Sequence, residues 1–95
     1  MTQITPEELI EFVRGRGDLE LLTLARRKAF VVRAVGDGLK YVPHSTQEPR
    51  FHPKKWLARV CEKFSRTNSL HSNDYKMTVN APYVLAIIDA YLKSK

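Results

Sequence analysis

AFVVRAVGDGLKYVP, residues 29–43, decides what kind of domain this chain makes. Phe30, Val31, Val32 and Val35 crowd aromatic and β-branched side chains into a run too short for a helix. Gly36-Asp37-Gly38 breaks the run, Leu39-Lys40-Tyr41-Val42 resumes it, and Pro43 stops it. The pattern predicts a β-hairpin whose three-residue loop puts Gly38 in the left-handed position. Just upstream, Ala25-Arg26-Arg27-Lys28 reads as a polar connection. Asp18–Leu24 (DLELLTL) fits a strand or one more helical turn, and we read it as the strand that begins the sheet.

Helical signals flank this hairpin. Thr5-Pro6-Glu7-Glu8 combines an N-cap threonine, a proline at the first helical position and a glutamate that can reach back to the cap. Ile4 and Leu9 are placed as a hydrophobic staple, and Gly15 and Gly17 end the helix. Pro43–His52 reads as a loop, a helix begins near Pro53, and Asn68–Asn73 is a second polar loop. Tyr75, Met77 and Val79 alternate with polar residues, which predicts a strand wet on one face. Asn80 then caps a last helix, Tyr83–Leu92, that is apolar almost all round. The expected fold is α+β: one domain over residues 1–95, a small antiparallel sheet of three to four strands, and about three helices packed on one face.

The formal net charge of +6 is unevenly spread. Residues 21–76 hold twelve Lys or Arg against four acids, a net +8, whereas residues 1–20 carry −3. A concentrated positive field attracts polyanions, nucleic acid above all. The single cysteine, Cys61, excludes an internal disulfide and suits a reducing compartment. With no apolar run of membrane-spanning length and no signal-peptide pattern in MTQITPEELI, the expected location is the cytoplasm of a bacterium.

FHPKKWLARVCEKFSR, residues 51–66, carries the sharpest candidate site. At about 100° per residue, Trp56, Leu57, Val60, Cys61 and Phe64 gather on one side of a helix, expected to face the core. Lys55, Arg59, Lys63 and Arg66 gather on the other, with Glu62 among them. Cations at successive helical turns can follow a phosphate backbone and release its counterions. Arg26, Arg27 and Lys28 are candidate supporting contacts, and Arg50, Lys54 and Lys40 could extend the patch. The hydroxyl and amide groups of Ser65–Ser69 suit helix capping better than ligand contact.

Catalytic and metal signatures are missing from the sequence. His44, His52, Cys61 and His71 show none of the short pair spacings of structural zinc sites. There is no P-loop, no GxGxxG and no nucleophile elbow, and the acids of the basic segment have no metal-binding spacing. His44 and His52 flank a loop with Arg50 that could hold an anion. The reading is a non-enzymatic binding module without metal or cofactor that contacts DNA or RNA through phosphates. The alternative class is a protein-interaction or homo-oligomerising module, a homodimer in its simplest form, using Val84, Leu85, Ile88, Tyr91 and Leu92 of the last helix.

Phe30-Val31-Val32, Gly38–Pro43, Asn73-Asp74-Tyr75 and Asn80–Ile87 together resemble a pattern in small uncharacterised bacterial proteins of mobile DNA, those in gene cassettes or beside restriction systems. The resemblance spans residues 22–92. It implies a stand-alone accessory protein and carries no activity and no site residue with it.

Overall fold

The computed structural model describes residues 3–76, 78 and 80–94. Along the chain come α1 (Pro6–Arg14), β1 (Leu19–Leu22), β2 (Ala29–Val35), β3 (Gly38–Pro43), β4 (Arg50–Pro53), α2 (Lys54–Thr67), a 3₁₀ turn (Ser72–Asp74) and α3 (Ala81–Lys93). The strands form one antiparallel sheet in the order β1-β2-β3-β4, so each pairs with its neighbour in sequence. The chain is a small α+β fold. No described helix is long and apolar enough to cross a membrane.

Period-two burial explains the layering. Phe30 and Val32 of β2, Leu39 and Tyr41 of β3 and His52 of β4 point to one face and are buried there. The helices cover that face with Leu9, Ile10 and Val13 from α1, Leu57, Val60 and Phe64 from α2, and Val84, Leu85, Ile87 and Ile88 from α3. The other face carries Val31, Arg33, Lys40 and Val42. The three exposed large hydrophobics, Leu22, Val35 and Phe51, also belong to it. The α1 start forms as its sequence demands: Glu8 N donates to Thr5 Oγ1 at 3.2 Å, and Thr5 N donates to Glu8 Oε1 at 3.1 Å. Ile4 and Leu9 are both buried.

Three expectations are corrected, and the motive for a fourth is removed. The hairpin loop has two residues, because Val35 pairs with Gly38, and it is Gly36 (φ +57°) that takes the left-handed conformation. Gly38 instead lies where a side chain has no room: a Cβ there would sit 2.5 Å from the His52 carbonyl oxygen and 2.9 Å from the Phe51 ring. The segment expected as a loop up to His52 ends in a strand, β4, pairing Leu39 with His52 and Tyr41 with Arg50. As an edge strand it tolerates Pro53, whose missing N–H faces no neighbour.

The strand expected over 75–79 is not seen among the described residues; Met77 and Val79 lie outside them, and Lys76 is in a turn. Tyr75 is buried in the hydrophobic core, and its hydroxyl donates to the Ser69 carbonyl at 2.7 Å. Finally, α3 needs no second copy to cover its apolar sides. Val84, Leu85 and Ile88 are at most 1% exposed inside their own domain, and Tyr91 and Leu92 pack partly buried against the same core. The helix can be apolar almost all round because α1, α2 and the sheet pack around it.

Candidate anion-binding site

The α2 helix places its two faces as its period requires. Leu57, Val60, Cys61 and Phe64 are buried, while Lys55, Arg59 and Arg66 are exposed and Lys63 partly so. Trp56 departs from the expectation. It is only partly buried, at the border of the two faces, with the Arg59 guanidinium 4.7 Å and the Lys55 ammonium 5.7 Å from its ring centroid. Lys63 likewise lies 5.6 Å from the Tyr75 ring. These contacts hold the cationic tips in place without neutralising them. Thr67 and Asn68 bond to the carbonyls of Lys63 and Phe64 at the end of α2, whereas Ser65 ties that helix to Ile4 ahead of α1.

A second group of cations gathers at the end of the sheet away from the β2–β3 hairpin. Between β1 and β2, Thr23 organises the turn: its N–H donates to the Lys28 carbonyl, and its Oγ1 accepts from Lys28 N, each at 3.0 Å. Arg27 takes a left-handed φ of +56° to close the turn. Arg26 and Lys28 then face a cleft of about 830 Å³, with Arg50 of β4 on the opposite side. Ser45 and Thr46 of the β3–β4 loop, and His71, Ser72 and Asn73 after α2, supply polar lining. Leu24, Leu70, Pro82 and Tyr83 supply an apolar wall. Tyr83 is fixed from inside, stacked 5.3 Å from Tyr41 and edge-on 4.9 Å from Phe30.

No carboxylate lines this cleft among the described residues. Asp74, on a bordering loop, is engaged by Ser69 Oγ at 2.6 Å. Glu11 holds Arg14, Glu7 holds Lys54 at 2.8 Å and Asp18 holds Arg33 at 2.7 Å, all toward the hairpin end, Asp89 holds Lys93 within α3, and Glu20 meets His44 at 3.1 Å just after β3. The Asp18 carboxyl is thereby pulled below its usual range by the Arg33 guanidinium, and that of Glu7 by Lys54. Among the described residues, Arg26, Arg27, Lys28, Arg50, Lys55, Arg59, Lys63 and Arg66 form no ion pair. These cations lack a carboxylate at ion-pair distance, although the exposed Glu62 shares α2 with the stripe and Glu48 lies in the loop just before Arg50.

Of the seven residues expected to meet phosphates, Arg26 and Lys28 share the cleft. Arg27 is exposed on the same turn, and Lys55, Arg59, Lys63 and Arg66 lie on α2, outside the cleft lining. Two proposed extensions fall away: Lys54 is committed to Glu7, and Lys40 lies on the uncovered sheet face, between Arg33 and Phe51. Arg50 belongs to the cleft and not to the helical stripe. Tyr83, Ser72 and Asn73 are cleft residues that the sequence reading leaves unassigned.

The histidine loop does not form an anion site as a unit. His44 pairs with Glu20 at 3.1 Å, and His52 turns into the core beside Tyr41. Cys61 is buried on α2, and burial pushes its thiol up to about 12. Among the described residues no cluster of His, Cys, Asp or Glu is placed to hold a metal ion. Comparison with protein-family models, curated proteins and solved structures found no match.

Proposed function

We propose that this domain is a non-enzymatic module that binds nucleic acid through its phosphates, using Lys55, Arg59, Lys63 and Arg66 of α2 with Arg26, Arg27 and Lys28 of the β1–β2 turn. The observation that carries the reading is the separation of charge: the acids neutralise Arg14, Arg33, Lys54 and Lys93, and none of the seven proposed contacts. Cations without internal partners keep their full attraction for a polyanion. Rigid helical spacing and the ring contacts of Arg59 and Lys63 limit the side-chain entropy lost on binding.

Fluorescence anisotropy with labelled duplex and single-stranded oligonucleotides tests this directly. Binding at low salt should weaken steeply as salt rises, and Arg59→Glu with Lys63→Glu should weaken it on every sequence alike and flatten the salt slope. Absence of binding at low salt, or indifference to the reversals, defeats the proposal.

A further inference from the structure

The cleft at the sheet end is more than a continuation of a charged surface. A nucleic-acid backbone running past the domain can touch α2, but a concave cavity of about 830 Å³ is of the size that encloses a small molecule or one exposed residue of a polymer. Its charge is one-signed. Arg26, Lys28 and Arg50 arrive from two separate segments of the chain, and none has a carboxylate partner among the described residues. A phosphodiester presents a single negative charge, whereas a phosphomonoester carries about −1.5 to −2 near neutral pH, with three acceptor oxygens. Three cations suit the monoester, and guanidinium groups match its oxygens in pairs.

The rest of the cleft is not built for phosphate alone. The Tyr83 ring forms part of an apolar wall and is locked by its contacts with Tyr41 and Phe30, so it is a pre-set surface for a flat ring. Stacking on such a ring is worth roughly 1–3 kcal/mol per base and tolerates any base. Ser72 and Asn73 add hydroxyl and amide groups of the kind that meet a sugar. Cations, an aromatic wall and neutral polar groups in one cavity are the separate needs of phosphate, base and ribose.

We propose that this cleft binds a nucleoside phosphomonoester, either free or as the phosphorylated end of a strand. The strand-end form rests on the nucleic-acid reading above; the free form does not.

Calorimetry on the intact chain tests it with adenosine 5′-monophosphate, adenosine and inorganic phosphate, and with the other three mononucleotides. The monophosphate should bind, with adenosine and phosphate each at least roughly tenfold weaker. Arg26→Gln with Arg50→Gln should reduce its affinity by a similar factor while leaving thermal unfolding in place, since both side chains are exposed. Tyr83→Leu should weaken the nucleotide and leave phosphate unchanged. Equal binding of nucleotide and phosphate, no binding of any mononucleotide, or indifference to the double substitution overturns the proposal.

Oligonucleotides with 5′-phosphate, 3′-phosphate or hydroxyl ends separate the two sources. Preference for a phosphorylated end supports the cleft on a strand. Mononucleotide binding without oligonucleotide binding keeps the cleft as a site for free nucleotide and removes the nucleic-acid reading. Oligonucleotide binding that ignores the ends, with no mononucleotide bound, removes the cleft and keeps the backbone reading.

Discussion

Tyr41 and His52, from the paired strands β3 and β4, share a hydrogen bond of 2.9 Å between the phenol oxygen and Nδ1, inside the core. His52 is 2% exposed and its Nε2 has no partner among the described residues. Burial therefore pushes its pKa down to about 4, and the ring is neutral in the fold. In the unfolded chain it charges below its ordinary value near 6.5. The folded state binds fewer protons, so the stability is complete above about pH 6.5 and is lost as pH falls toward 4. Asp18 and Glu7, with depressed carboxyl pKa values, act only at still lower pH. Denaturant titration should show a loss of roughly 2–3 kcal/mol between pH 6.5 and 4.5. His52→Leu should flatten that dependence.

Gly38→Ala should destabilise although no positive φ is at stake. The added methyl meets a carbonyl oxygen at 2.5 Å, a backbone atom that cannot rotate away, and displaces the Phe51 ring that lies over the glycine. Overpacking of this kind costs about 1–3 kcal/mol. The shift in denaturation midpoint reads it, and an unchanged midpoint contradicts the geometry.

At the start of α1, Thr5→Ala should cost about 1 kcal/mol, the usual loss of an N-cap. Glu8→Ala should cost more. Besides completing the cap, Glu8 accepts from the Tyr91 hydroxyl at 2.7 Å and so ties α1 to α3. Thermal unfolding of the two variants should rank them in that order.

Trp56 is the only tryptophan, and it lies under Arg59 and Lys55. Nucleic acid engaging those cations should change its emission in a salt-reversible way. Arg59→Glu should abolish the response while altering stability by no more than about 0.5 kcal/mol, as exposed substitutions generally do.

The helices and the central hairpin are legible in the sequence because local signals and burial agree there. Thr5 and Glu8 cap what they are spaced to cap, and residues 29–43 alternate toward one covered face. β4 is not legible: the three residues between Pro49 and Pro53 carry too little period, and only pairing with β3 makes them a strand. Tyr75 misleads because it enters the core from a turn and not from a strand. The basic α2 face can be read from its period. The cleft cannot, since Arg26, Arg50 and Tyr83 meet only through the antiparallel order of the strands and the return of α3.

The sealed position of Cys61 gives the molecule a built-in clock. A thiol held protonated beneath α2 ignores alkylating reagents until the surrounding packing separates, so the rate of its modification counts spontaneous openings of the whole domain. Any bound molecule that clasps the native form should slow that count in proportion to its occupancy, with no label attached to either party.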